Sequence, residues 1–514
     1  MATTTIIDAQ YYVFLFLLCL SSTLLLQFFF KKSKPAGATH LRPLPSPPAL
    51  PLVGHIHLLT KYVHICFQKL ALKYGPLLFL RFGSFKFLLI SSASVVTEVF
   101  KSNDVAFASK PMSVFEDRLI FANIGFIFSP YGEYWRYMKK MTVTELLGSK
   151  QLQRSHNVRR EELHRYLKKV LEKAQESEVF SLGTELMKLT NNTICRMALS
   201  TRCSEEDNEA EKIKELIDGS LELGMKLAMV NMAGPLKKLG VWMYGKEDRE
   251  INRKCDELLE RIWKEHEERA KRDGGVDRED KDLMDILLEA YHDEKAEFKI
   301  NKNQIKAFIL DLFLAGTSTS TDSMEWVMAN LINHPEVMKK AREEIDSVVG
   351  NKRLVEETDL PNLPYLQAVV KETLRLYPPG PLLPRRTHEA CELRGFDIPR
   401  DIMVVFNFYA IMRDPEAWEN PNEFIPERFL SSNKEKAHQN FNFVAFGAGR
   451  RMCPGATLAL TLMNTTVASM VQCFDWKVGK DGDRVNMEPQ AGLHLKLAEP
   501  LQCRPILRFH PFSC

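Results

Sequence analysis

The sequence predicts a mainly α fold with a small β component, carried in one large domain behind an N-terminal transmembrane helix. Three observations predict it. Residues 11–30 form an apolar stretch without a charge, long helical patterns with few strand signals dominate from residue 56 onwards, and neither an internal repeat nor a break in composition divides that body. The expected organisation is a membrane anchor at 1–30, a basic and proline-rich linker at 31–55 and one globular domain at 56–514.

Composition excludes several function classes. Of 514 residues, 45% are apolar and 26% charged, an ordinary globular mix with enough apolar material for a sizeable core. Lys plus Arg number 69 against 66 Asp plus Glu, and a net charge of +3 offers no basic face to nucleic acid. Ten cysteines lie scattered singly with no CxxC pair, which fits neither a disulfide framework nor a zinc ribbon and points to a reducing compartment.

The anchor comes first. Twenty residues from Tyr11 to Phe30, at about 1.5 Å of rise each, span about 30 Å, one hydrocarbon core. Lys31, Lys32 and Lys34 follow directly while only Asp8 is charged before the span, so the positive-inside rule places the body in the cytosol. A cleaved signal peptide would need a basic leader and a shorter apolar run. Pro43, Pro45, Pro47, Pro48 and Pro51 then hold the chain extended, a stalk or a plain linker.

In the body, Glu205 to Met225 and Arg249 to Lys271 read as helices with charged outer faces, and Ala270 to Asp282 reads as a solvated loop. Strand signals fall at Leu77 to Phe82, Phe85 to Ile90 and Met403 to Phe408. A helix from Ile305 to Asn333 could run unbroken until His334-Pro335 stops it. Its middle is poor helix material: Gly316 costs about 1 kcal/mol relative to Ala, and Thr317 to Thr321 are all hydroxyl residues that compete with the backbone. Such a run fits hydroxyls back-bonded to carbonyls one turn earlier, and fits equally a distortion beside a ligand.

The chemistry concentrates at Phe446-Gly447-Ala448-Gly449-Arg450-Arg451-Met452-Cys453-Pro454-Gly455, followed by an apolar helix pattern from Ala456 to about Phe474. Cys453 thus stands where a glycine-rich loop enters a helix, and the unpaired N–H groups there favour a thiolate. Pro454 suits a first helical turn, Gly447 and Gly449 allow close approach to a flat ligand, and Arg451 brings positive charge. An axial thiolate on haem iron needs such a setting; it pushes electron density to the iron and favours O–O cleavage. Other motifs fail: a dinucleotide fingerprint would need Gly where Met452 stands, and His266-Glu267 lacks a second His at Ala270.

The segment resembles the haem-binding signature of the cytochromes P450, Phe-x-x-Gly-x-Arg-x-Cys-x-Gly, at every fixed position, and the resemblance runs along essentially the whole chain. It implies the cytochrome P450 fold, haem b (iron protoporphyrin IX) as cofactor and Cys453 as its axial metal ligand, making 56–514 a haem-thiolate monooxygenase domain. Glu372 and Arg375 resemble the family's Glu-x-x-Arg helix and Arg428 its Pro-Glu-Arg-Phe segment. Three apart on a helix, Glu372 and Arg375 share a face, and with Arg428 they could form a charge network that matters by burial and geometry. Phe446, Gly449 and Arg451 belong to the haem loop. Trp135 resembles the family's Trp-x-x-x-Arg, with Lys139 at the basic position as a point charge for a propionate.

Ala315-Gly316-Thr317-Ser318-Thr319-Ser320 resembles the family's oxygen-side motif. By that resemblance Gly316 makes room for O2 and Thr319 hydrogen-bonds it, while Ser318 replaces the usual acid. Asp322, one turn on, or a water chain is expected to feed protons past Ser318 to Thr319. The replacement leaves room for a haem-thiolate isomerase or dehydratase that needs no O2. A membrane haem sensor or electron carrier is the non-enzyme alternative, and the intact Thr319 weighs against both.

No flavin or nicotinamide domain is visible, so resemblance to microsomal members implies NADPH-cytochrome P450 reductase as partner and a single-pass place in the endoplasmic reticulum membrane, in contact with lipid. Arg136, Lys139 and Lys140 could meet an acidic partner. The family's substrate segments carry mostly apolar residues here, among them Met112, Phe115, Ile124, Phe126, Leu221, Met225, Phe313, Leu382, Leu383 and Leu493. Such a pocket suits a bulky lipophilic molecule. The chain most resembles plant enzymes of specialised metabolism that include triterpenoid hydroxylases and flavonoid oxidases, with a triterpenoid the expected substrate and a flavonoid or isoflavonoid the alternative.

Overall fold

The computed structural model describes residues 12–24, 43–111 (save 52 and 84), 124–202, parts of 216–230, 237–272, 281–430 (save 297), 441–479, 483–510 (save 493) and 512. Strands β1 (Leu77–Phe82) and β2 (Phe85–Ile90) form a hairpin that pairs Leu77 with Ile90. β2 continues in parallel with β7 (Met403–Asn407), which pairs antiparallel with β4 (Leu382–Arg386), giving the order β1-β2-β7-β4. All the expected strands are present. Alternation explains why this sheet is buried on both sides. Leu78, Leu80, Phe82, Phe87 and Leu89 face Phe67 and Leu70 of α1 (Val63–Tyr74), whereas Leu77, Leu88, Ile90 and Phe406 face Val96, Val99 and Phe100 of α2 (Ala93–Ser102). A second sheet joins β3 (Phe180–Ser181), β9 (Gln502–Leu507) and β8 (Phe474–Lys477), and β5 (Cys391–Leu393) pairs with β6 (Phe396–Ile398).

The remaining longer helices are α3 (Glu133–Met141), α4 (His156–Glu176), α5 (Leu182–Leu199), α6 (Lys237–Arg272) and α7 (Leu283–His292). They are followed by α8 (Lys302–Gly316), α9 (Ser318–Asn333), α10 (Pro335–Val348), α11 (Pro364–Leu376) and α12 (Ala456–Cys473). Apolar faces of α4, α5, α9, α10, α11 and α12 meet in one core around Trp326, Val327, Val369, Leu374, Val467 and Met470. A second core joins Phe308, Phe313 and Leu314 of α8 to Phe126, Trp135, Ile194 and Leu458.

Three expectations change. The helix expected from Ile305 to Asn333 is divided at Thr317 (φ −91°, ψ −72°), within the run of hydroxyl residues. Its start is fixed by a capping box in which Asn301 and Gln304 exchange backbone–side-chain bonds at 2.9 Å. The expected loop at 270–282 is shorter, because α6 runs to Arg272 and Asp282 caps α7; residues 273–280 lie outside the described ones. The second half of the proline segment is bonded to the body: Phe79 N–H donates to Pro45 O at 2.8 Å and His55 N–H to Arg81 O at 2.7 Å. Gly54 (φ +68°) lies so close to Arg81 O that a Cβ would sit 2.2 Å away.

Residues 12–24 of the expected anchor are helical, with Tyr12, Phe14 and Phe16 exposed. Among the described residues no helix is long and apolar enough to cross a membrane, and 11 and 25–30 lie outside them. Most of the expected helix at 205–225 also lies outside, although 216, 219–220 and 222–224 are helical.

Candidate active site

The cysteine loop is shaped by two left-handed glycines. Gly447 (φ +78°) needs its glycine for the backbone alone. Gly449 (φ +67°) needs it twice, because a Cβ would lie 2.2 Å from Asp104 Oδ1 and 2.7 Å from Phe100 Cδ1. Its missing side chain admits the Asp104 carboxylate, which accepts from Arg450 N–H at 3.1 Å. Cys453 N–H donates to the Phe446 carbonyl at 2.9 Å, and the half-buried Phe446 ring packs against the main core. Pro454 and Gly455 form a turn, and α12 begins only at Ala456, so Pro454 precedes the first helical turn expected for it. Burial pushes the Cys453 thiol up, against the Gly455 N–H and the Lys139 charge, which pull it down. A cation on the sulfur would act in the opposite direction.

Beside this loop four cations gather. Arg451 donates to the carbonyls of Ala108 at 2.7 Å and Ser129 at 2.6 Å and lies 4.3 Å over the Trp135 ring, itself stacked on Phe126. Lys139 lies 5.2 Å over the same ring and donates to the Arg450 carbonyl, so it is turned inward while Arg136 and Lys140 stay exposed. Arg385, on β4, and Lys110 are buried as well. Burial, compounded by Arg385 and Arg451, holds the Lys110 ammonium well below its ordinary range. Burial lowers Arg385 to about 9, and burial with Arg385 beside it lowers Arg451 to about 9. Arg385 Nε has no hydrogen-bond partner. Lys110 and Arg385 were not anticipated as site residues, and no local pattern signals them.

The remaining expected site residues lie at the α8–α9 junction. Thr319 donates its hydroxyl to Ala315 O at 2.6 Å, Ser323 to Thr319 O at 2.7 Å and Thr321 to Thr317 O at 3.0 Å. Hydroxyl back-bonding and distortion therefore occur together. The Ser318 and Thr317 hydroxyls are buried without a partner. A Cβ on Gly316 would meet Ile194 Cγ1 at 2.8 Å and Cδ1 at 2.9 Å, so the packing of α8 on α5 requires glycine there. Buried Asp322 accepts from His494 Nε2 at 2.5 Å. Asp311, buried on α8, accepts from Ile127 N–H at 2.9 Å, and burial raises its carboxyl to about 7 against the backbone N–H groups of Ile127 and Phe126. His494 and Asp311 too were missed by sequence reasoning, since their partners are remote in the chain.

Behind the site, Glu372 and Arg375 are fully buried and paired in bidentate fashion at 2.7 and 2.8 Å. Arg428 Nε reaches Glu372 Oε1 at 3.2 Å. The remaining donors are used on loop carbonyls: Arg375 on Met412, Pro421 and Glu423, Arg428 on Glu419 and Asn420. Ile425 N–H completes the Glu372 carboxylate at 2.9 Å. The trio ties α11 to the 412–428 segment that leads to the cysteine loop.

A family model described as Cytochrome P450 matches residues 44–503. The chain belongs to the cytochrome P450 family. It is 46% identical to cytochrome P450 705A5 of Arabidopsis thaliana over 99% of each chain. It is 40% identical to beta-amyrin 24-hydroxylase of Glycine max, over 99% of this chain and 100% of that one. With the 3,9-dihydroxypterocarpan 6A-monooxygenase of Glycine max the identity is 39%, over 96% and 98%. A solved zebra fish cytochrome P450 with abiraterone superposes with a TM-score of 0.72 at 26% identity, covering 87% of this chain and 99% of that one.

The protein is therefore a P450 monooxygenase, and family and fold imply haem b. The residues present fit that group. Four half-buried or buried cations stand near a single acid among the described residues, Asp104, and one guanidinium nitrogen lacks a partner; two propionates supply the charge such a cluster needs. Cys453 offers a sulfur ligand beside it.

Proposed function

We propose that the chain oxidises a bulky lipophilic plant metabolite, a triterpenoid, at the face between Cys453 and Thr319. In this reading Cys453 is the axial ligand, while Arg451, Arg385, Lys110 and Lys139 hold the propionates and Trp135 stacks beneath Arg451. Haem bound there supplies the activation of O2. The chain's own residues govern protons and orientation. Thr319 donates its proton to Ala315 O, so its oxygen has lone pairs left to accept one. The unpartnered Ser318 hydroxyl would relay to Thr319 a proton that it regains from a water chain or from Asp322 one turn on, in place of the usual acid. Glu372, Arg375 and Arg428 keep the scaffold of the loop fixed. Electrons come from NADPH through a membrane-bound reductase, whose docking we assign to the cysteine side with exposed Arg136 and Lys140. The span 1–30 is the anchor in the endoplasmic reticulum membrane, 31–55 the linker and 56–514 the catalytic domain.

One observation carries the substrate class. The described walls are apolar, with Phe126, Phe308 and Phe313 buried in one cluster and Ile124, Leu382 and Leu383 half-buried. Met112, Phe115, Leu221, Met225 and Leu493 lie outside the described residues. Likeness to a beta-amyrin hydroxylase supports a triterpenoid, and likeness to a pterocarpan monooxygenase supports an isoflavonoid as the second reading. The test is expression with a plant reductase in microsomes. Reduced protein under carbon monoxide should give the red-shifted Soret band of thiolate-ligated haem, and Cys453→Ala should abolish it. NADPH-dependent oxidation of β-amyrin but not of 3,9-dihydroxypterocarpan is expected; the reverse overturns the triterpenoid reading, and a band retained in Cys453→Ala overturns the ligand.

A further inference from the structure

Ala315, Thr319 and Asp322 stand at i, i+4 and i+7, which places them along one face of the α8–α9 pair. The junction does not rotate that face away, because Thr317 N–H still reaches Phe313 O at 3.3 Å and Thr321 N–H reaches Thr317 O at 3.2 Å. Along this face Ala315 is exposed, Thr319 half-buried and Asp322 buried. What covers Asp322 is the ring of His494, whose side chain keeps 23% of its surface exposed. The segment that carries His494 is fixed at the next residue, Leu495. Trp326 Nε1 donates to Leu495 O at 3.1 Å, Leu495 N–H donates to Pro379 O at 3.0 Å, and Trp326 stacks on Tyr377 at 4.0 Å.

A carboxylate 2.5 Å from Nε2 accepts the proton on that nitrogen and so sets the tautomer. In the neutral ring Nδ1 then carries the lone pair. Among the described residues nothing donates to it. An oriented acceptor at the end of an otherwise apolar face is the kind of sparse polar group that fixes how a lipophilic ligand lies. We propose that His494, held by Asp322, accepts a hydrogen bond from a hydroxyl group of the substrate and thereby sets which carbon lies under Thr319. Asp322 is a positioning residue that acts through His494.

The inference rests on the reading of a hydroxylated lipophilic substrate, and two probe pairs separate its failure from that of the triterpenoid assignment. β-Amyrin and its methyl ether, and 3,9-dihydroxypterocarpan and its dimethyl ether, are titrated into the haem-loaded full chain, with the haem absorbance shift as readout. A lost hydrogen bond to a buried acceptor weakens binding about tenfold, so the alcohol of the cognate pair should bind about tenfold tighter than its ether. His494→Phe should make the two bind alike while keeping the reduced carbon monoxide spectrum of the wild type. His494→Asn, which retains an acceptor near Nδ1, should restore part of the ratio, and Asp322→Ala should reduce it. Discrimination in the pterocarpan pair alone moves the substrate class and keeps the role of His494. An alcohol-to-ether ratio unchanged in His494→Phe, or equal or absent binding of alcohol and ether in both pairs for the wild type, overturns it.

Discussion

Burying Arg385 beside Arg451 and Lys110 sets like charges against one another, and Arg385 Nε has no partner among the described residues. A buried unpaired charge is strongly unfavourable, whereas a well-packed apolar substitute often is not. Arg385→Met should therefore leave the haem-free protein as stable as the wild type or more so, and weaken retention of haem by at least about tenfold, the worth of one charge-assisted hydrogen bond. Thermal unfolding of the haem-free form and transfer of haem to an acceptor globin measure the two effects. Unchanged transfer would remove Arg385 from the propionate site. Residues differ sharply in how far the chain announces them. Cys453, Glu372, Arg375 and Arg428 stand in short local patterns, because loop shape and helix spacing are encoded nearby. Lys110, Arg385 and His494 matter only through partners brought close by the fold, and nothing beside them in the chain marks them.

At the scale of elements, α8 and α5 approach so closely that Gly316 has no room for a methyl group beside Ile194. Alanine is favoured over glycine in a helix by about 1 kcal/mol, but overpacking costs roughly 1–3 kcal/mol, so Gly316→Ala should be destabilising on balance. Ile194→Ala opens a cavity and destabilises alone by roughly 2–5 kcal/mol. In the double variant each change relieves the other, and the stabilities should fall short of additive in denaturant unfolding. Strict additivity would show that the contact is not what requires glycine. The same element shows where reading the chain stops. Its hydroxyl run and its stop at His334-Pro335 are visible in the residues, and so is the weakness that divides it at Thr317. The reason for Gly316 is not visible, because Ile194 lies on another helix. Hairpin β1–β2 was legible for the opposite reason: its near-continuous apolar runs are dictated by two neighbouring layers that it must satisfy at once.

For the molecule as a whole, two buried carboxylates of the α8–α9 pair each fasten a remote segment to it. Asp322 holds the segment around His494 at one end, and Asp311 holds the segment around Ile127 at the other. The Asp311 carboxyl is displaced into the physiological range, raised by burial from 3.8 to about 7. A folded-state value above the unfolded one means that the folded protein binds more protons between the two, so its stability falls as pH rises from about 3.8 to about 7 and is level above that. Ionisation also strengthens the carboxylate as an acceptor for Ile127 N–H. Rising pH should thus lower global stability while it tightens the local hold on residues 125–127, two effects of opposite sign from one group. Denaturant unfolding from pH 4 to 8 should show the decline, and Asp311→Asn should flatten it. Hydrogen exchange at Ile127, corrected for its intrinsic pH dependence, should show protection rising through pH 7 in the wild type and constant in the variant. Protection that does not respond to pH would mean that Asp311 stays in one protonation state throughout, and the clasp would then be a fixed strut that couples the substrate face to the helix at every pH.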